Sequence, residues 1–98
     1  MSAHPLRRRY GRMAPAALNP IEGYETRFYA KDRGEPPHVH MYKTGRKQKF
    51  WLGPPVRAAI TRKKRVLFSD KELRRAKEII EENWRVIYDR WRAFFALP

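Results

Sequence analysis

Cysteine is absent from the 98 residues, which excludes a disulfide framework and any thiolate metal site. That absence fits a reducing compartment. No apolar run approaches the roughly 20 residues that a membrane-spanning helix needs. The arginines near the N-terminus are not followed by an apolar stretch, so a secretory signal is not expected and the cytoplasm is the expected location. Acidic groups are scarce: 10 against 23 Lys and Arg, for a net charge of +13. The scarcity is local. Residues 1–69 hold 16 basic and 4 acidic groups, whereas residues 70–98 hold 7 and 6. So one-sided a field favours a polyanion, either nucleic acid or an acidic protein; the bland alternative is a solvated basic surface. No dinucleotide or phosphate-loop glycine motif, no His-Glu-x-x-His, no helix-turn-helix and no zinc-finger spacing occurs, so no cofactor is expected.

What is present divides into a basic arm and one domain. Residues 1–20 carry Arg7, Arg8, Arg9 and Arg12 among Pro5, Pro15 and Pro20, with no sustained period, and read as a mobile arm. Residues 21–98 read as a single α+β domain: a small antiparallel sheet of three or four strands packed by a C-terminal helix or helix pair. Tyr24 to Ala30 alternates as a strand, with Tyr24, Thr26 and Phe28 on one face and Glu25, Arg27 and Tyr29 on the other. His38 to Tyr42 and Lys47 to Leu52 are two more strands, joined by a tight turn at Lys43-Thr44-Gly45-Arg46. Val56 to Ile60 is a short fourth strand, and Val66-Leu67-Phe68 a brief one leading to the helix.

Ser69-Asp70-Lys71-Glu72 is a capping box. After it, Leu73, Ala76, Ile80, Trp84, Ile87 and Trp91 form one helical stripe, widened by Ile79, Val86, Tyr88 and Phe94. A straight helix over Asp70–Phe95 would run roughly 39 Å, long for so small a sheet, so a break near Glu82-Asn83 is expected. Trp84 and Trp91 are read as core. The far end, Trp91, Phe94 and Phe95, overhangs the sheet and offers a surface for a partner or a second copy.

The stretch Glu35-Pro36-Pro37-His38-Val39-His40-Met41-Tyr42 gathers the rarest chemistry. His4 lies in the arm; the other two histidines lie here, at i and i+2 of a strand, and so share a face with Tyr42 while Val39 and Met41 turn inward. Three roles follow. Two imidazoles fall short of the three or four ligands of a zinc site, with Asp32 and Glu35 the nearest carboxylates, and no metal is assigned. His38, His40 and Tyr42, beside Lys47 and Lys49, are candidates for acid–base cleavage of RNA. Equally, the imidazoles can brace a neighbouring loop. For binding, Lys47, Lys49 and Trp51 combine cations with a stacking ring, and Arg62-Lys63-Lys64-Arg65 is a phosphate clamp.

Asp32-x-x-x-Pro36-Pro37-His38-x-His40, with Arg27-Phe28-Tyr29 before it and Tyr42 after, resembles a family of small bacterial proteins, a domain of unknown function of the DUF4160 type. The C-terminal half agrees, with Ile87 and Trp91 at the places of that family's Leu-x-x-x-Trp step. The likeness spans residues 21–92. It departs at Arg33-Gly34-Glu35 and at Asn83, where relatives carry further histidines. The resemblance implies a second small protein encoded alongside, as in a toxin–antitoxin cassette. The favoured function is therefore a nucleic-acid-binding component of a two-protein module, RNA more than DNA. The alternatives are a ribonuclease-like toxin using His38 and His40, and a partner of a small acidic protein with no nucleic-acid role.

Overall fold

The structure, a computed structural model, describes residues 16–29, 33–60 and 67–95. Residues 1–15, Asp32, Val66 and the basic run Arg62, Lys63, Lys64 and Arg65 lie outside the described residues. Four antiparallel strands, β1 (Glu25–Arg27), β2 (His38–Lys43), β3 (Arg46–Trp51) and β4 (Arg57–Ala58), follow one another across the sheet in chain order. Two helices follow, α1 (Asp70–Glu82) and α2 (Trp84–Phe94). This is the α+β arrangement expected.

Local chemistry sets the turns. Thr44 and Gly45 both take positive φ, 52° and 75°, the pair of values that a two-residue hairpin needs to follow the twist of its strands. Glu22 and Gly23 repeat the device at 54° and 82°, closed by Ile21 N to Tyr24 O at 3.0 Å and Tyr24 N to Ile21 O at 2.8 Å. The segment before that turn runs back along β1: Ala17 N donates to Thr26 O and Ala16 bridges Arg27. Residues 16–20, assigned to the arm by composition, are thus laid against the sheet, with Ala17 buried.

Strand lengths differ from expectation. The fourth strand contracts from Val56–Ile60 to two residues, Arg57 and Ala58, paired with Trp51 and Phe50. Leu67 and Phe68 form no strand. Phe68 instead turns inward as an apolar anchor ahead of α1, 6.1 Å from Tyr24 and 6.3 Å from Phe50 between ring centroids.

The core lies between one sheet face and the helical stripe. Phe28, Val39, Met41, Phe50 and Leu52 meet Ala76, Ile79, Ile80, Ile87 and Trp91, all buried. Two polar side chains share that face and are satisfied there. Thr26 Oγ1 accepts from Leu18 N at 2.9 Å, and Gln48 Nε2 donates to Ala59 O at 3.3 Å, which holds β4 to β3. The helix breaks at Asn83, as its length required. The Asn83 side-chain amide donates to Ile79 O at 2.8 Å and its backbone N–H is shared between Ile79 O and Ile80 O, which ends α1. After the break Trp84 Nε1 reaches Leu52 O at 2.7 Å. Val86, expected to widen the stripe, faces solvent, while Ile87 and Trp91 keep the stripe buried in the second helix. Trp91 and Phe95 are buried in the chain's own core, and Phe94 stacks on Phe28 at 5.7 Å, so the overhang expected at this end is largely folded back.

The capping box forms as the sequence predicts: Glu72 N donates to Ser69 Oγ at 3.1 Å and Ser69 N to Glu72 Oε1 at 2.8 Å. The same carboxylate takes both arms of Arg46, at 2.6 and 2.7 Å. One turn on, Arg75 grips Glu22 at 2.9 and 2.7 Å. Arg46, with the Ser69 amide, holds the Glu72 carboxyl down at about 2 instead of 4.5, and Arg75 lowers that of Glu22.

Two outcomes follow from this packing. Both carboxyls bind protons less readily folded than unfolded, so their contribution to stability is complete above about pH 4.5 and is lost as pH falls below it, for Glu72 toward about 2. The melting midpoint should fall over that interval, and Glu72→Gln should flatten the fall; a variant with the wild-type acid profile would refute the assignment. Trp91 packs between Tyr88 and Phe95 with its Nε1 buried and without a hydrogen-bond partner among the described residues. Trp91→Ala should cost about 3–5 kcal/mol in a denaturant titration. Trp91→Phe should cost much less, since it keeps an aromatic ring and removes a buried donor that gains nothing.

Candidate functional site

Alternation along each strand sends a second set of side chains to the sheet face turned away from the helices. Strand register aligns them in rows. Glu25, Tyr42 and Lys47 stand opposite one another across β1, β2 and β3; Arg27, His40 and Lys49 form the next row; His38 and Trp51 form the last. Tyr29 lies beyond Arg27 and meets the His40 ring edge-on at 4.7 Å. All six sheet residues singled out in the sequence, His38, His40, Tyr42, Lys47, Lys49 and Trp51, therefore share one face. The clamp Arg62, Lys63, Lys64 and Arg65 lies outside the described residues.

The histidine half of this face is closed. His38 is 0% exposed and His40 7%. His38 Nδ1 lies 2.8 Å from Pro36 O. A carbonyl only accepts, so Nδ1 carries the proton of the bond and Nε2 is the acceptor nitrogen of the neutral ring. The two imidazoles meet edge-on at 5.5 Å, with Trp51 at 5.9 Å and Phe95 at 6.4 Å from His38. Arg33 fixes that last ring. Its guanidinium donates to Phe95 O at 3.0 Å and lies 5.5 Å from the ring centroid, a cation at a helix C-terminus. Glu35 completes the cover by pairing with Lys49, its carboxylate 3.9 Å from His38 Nδ1. The two prolines before His38 thus turn the chain so that Arg33 and Glu35 fold over the imidazoles.

The other half is open. Lys49 is only 18% exposed and lies over the Trp51 ring at 4.6 Å, but Lys47 reaches solvent, its ammonium 5.1 Å from the Tyr29 centroid. Tyr42 is half-buried, and desolvation raises the pKa of its phenol, which remains a donor at neutral pH. Arg27 is 37% exposed and donates to Glu25 Oε1 at 3.1 Å. Glu25, Arg27 and Tyr29 were not singled out as site residues. The alternation of β1 already put them on this face; the missing step was to pair that strand with the histidine strand. Among the described residues, no group of three or more His, Asp or Glu is placed to hold a metal ion, and no helix is long and apolar enough to cross a membrane.

The packing predicts a structural cost for losing the imidazoles. His38→Ala removes the donor to Pro36 O and opens a void against Trp51 and Phe95. It should lower the unfolding free energy by ~1–3 kcal/mol for the hydrogen bond alone, with more from the cavity. The double change His38→Ala, His40→Ala should be less stable again. A double variant that melts at the wild-type temperature would contradict this.

No curated protein and no solved structure matches the chain. The family comparison does give a match, over residues 23–92, from the first X-Gly turn through nearly all of α2. That is most of the chain and nearly the whole described domain, and on it this protein belongs to the family described as Domain of unknown function (DUF4160).

Proposed function

We propose that the protein binds single-stranded RNA on the sheet face opposite the helices, acting in the cytoplasm as the basic member of a two-protein bacterial module. One observation carries the reading. Arg27 on β1 and Lys47 and Lys49 on β3 stand on either side of β2, with Lys47 opposite Tyr42 and with Tyr29 and Trp51 two residues along the chain from Arg27 and Lys49, so cations and flat rings mingle on a face that no helix among the described residues covers. Phosphates are held by the first and unstacked bases by the second. The net charge of +13 supplies the long-range attraction. Single-stranded RNA suits such a face better than a duplex, whose bases are stacked away from it, and its 2′-hydroxyl adds a donor and an acceptor that DNA lacks. The two-protein setting rests on the family resemblance.

Burial weighs against the cleavage alternative. A general base must come within hydrogen-bond reach of the proton it takes, whereas His38 and His40 are both buried, His38 with Glu35 and Phe95 beside it. Bracing the binding face is the role that this geometry supports. An acidic protein would meet the same cations.

A titration of the protein with a fluorescent single-stranded RNA, repeated over a series of salt concentrations, tests the proposal. Affinity should fall steeply, with a logarithmic slope of about −0.7 for each phosphate neutralised. The double change Arg27→Ala, Lys47→Ala should weaken binding and make the slope shallower, as should replacing Arg62, Lys63, Lys64 and Arg65 with alanine. The matched DNA strand should bind less tightly, and the RNA should be recovered uncut. Binding that ignores salt, or an RNA that does not bind at all, would sink the reading.

A further inference from the structure

Between the two X-Gly turns the open face forms a notch of about 350 Å3, lined by Gly23, Glu25, Arg27, Tyr29, Tyr42 and Gly45, with Thr44 at its rim. That size is at the low end for small-molecule sites and suits one nucleobase. We infer that this notch reads a guanine base of the bound strand, an inference that rests on the RNA-binding proposal.

Three observations converge on it. First, Tyr42 is the ring left uncovered. Tyr29 has His40 at its edge and Lys47 over it, and Trp51 has His38 and Lys49, whereas among the described residues no ring packs on Tyr42 and no cation lies over its face, Arg27 acting on its phenol through charge alone. A half-buried tyrosine with a bare face is a stacking platform for a base. Second, Glu25 lies directly across from Tyr42 in the strand register. Its carboxylate is held on one side by Arg27 at 3.1 Å and is otherwise 46% exposed, so lone pairs on both oxygens remain to accept. Third, Arg27 and Lys47 flank the same two rows, where the phosphates on either side of a stacked base would lie.

A carboxylate in an otherwise cationic groove repels the backbone, so its presence favours only a base that repays it with donors. Guanine alone offers two adjacent donors, N1–H and the N2 amino group, on its Watson–Crick edge. Adenine and cytosine each pair one amino group with an acceptor nitrogen, and uracil places one N–H between two carbonyls. Each of those sets a lone pair against one Glu25 oxygen and is disfavoured for that reason.

The test compares four eight-nucleotide uridine strands, unchanged or carrying one central guanosine, adenosine or cytidine, titrated against the full chain. The guanosine strand should bind tighter by roughly tenfold, the scale of one bidentate base contact. Glu25→Gln should erase that preference without weakening the all-uridine strand, since it removes an acceptor and a repelling charge together. Tyr42→Ala should weaken every strand, and Tyr42→Phe should not; melting curves on each variant confirm that the fold is kept. Equal, salt-sensitive affinity for all four strands would overturn the guanine inference and leave the RNA reading standing. A guanosine preference that survives Glu25→Gln would also overturn it. Failure of every strand to bind would remove both.

Discussion

The Glu72 carboxylate is the point at which three parts of the fold meet. It closes the capping box of α1, takes both arms of Arg46 at the start of β3, and through Arg46 reaches Leu67 O, at 3.1 Å, in the segment before the helix. Energy alone does not explain its importance. A solvent-screened ion pair contributes little, whereas each fully buried Val, Leu, Ile or Phe contributes about 1.5–3 kcal/mol. The carboxylate decides where that burial occurs. With α1 fixed to the hairpin at Glu72 and to the neighbouring turn by Arg75, and the start of α2 hung from Leu52 O by Trp84, the stripe Ala76-Ile80-Ile87 has one place to lie. Geometry is set by polar contacts and stability by apolar ones.

Much of this was legible in the chain. The capping box, the hairpin at Thr44-Gly45, the break at Asn83 and the two faces of each central strand all follow from local rules about φ, capping and period. The losses were of another kind. Nothing local to residues 16–20, Ala-Ala-Leu-Asn-Pro, shows that they will lie along β1, because the partner for that backbone comes from a strand it meets only after the Glu22-Gly23 turn. Val86 carries an apolar side chain but lies at the edge of the Ile80-Ile87-Trp91 stripe, and composition does not show how wide a stripe the small sheet covers. The site suffered the same way. Alternation puts His38 and His40 on one face, yet it does not show that Phe95 will pack near His38, a ring whose carbonyl Arg33 holds across 62 positions of chain.

That closure divides the outer face. At one end, rings, imidazoles and an ion pair cover one another and form a second, smaller core. At the other, side chains of the same types stand more open, and no loop among the described residues crosses them. The closed end stiffens β2, the strand shared by both ends, so that the open end presents Tyr42, Arg27 and Lys47 at fixed spacing. Preorganisation of this kind lowers the entropy lost on binding. The sequence motif built around Pro36 and Pro37 therefore frames the surface on which we propose that RNA binds, with Tyr42 on β2 itself and Arg27 and Lys47 on the strands either side.

The outer boundaries of the sheet carry a final consequence. An unpaired strand margin is a template for self-association. On the β1 side the margin is occupied by residues 16–21, through the Ala16–Arg27 and Ile21–Tyr24 bridges. On the opposite side the last strand is two residues long and follows two prolines, which leaves little ladder to extend. Together with mutual repulsion among molecules carrying +13, this makes stacking of copies into a continuous ribbon unfavourable. The protein should stay dispersed at concentrations where a flat sheet of the same composition would precipitate.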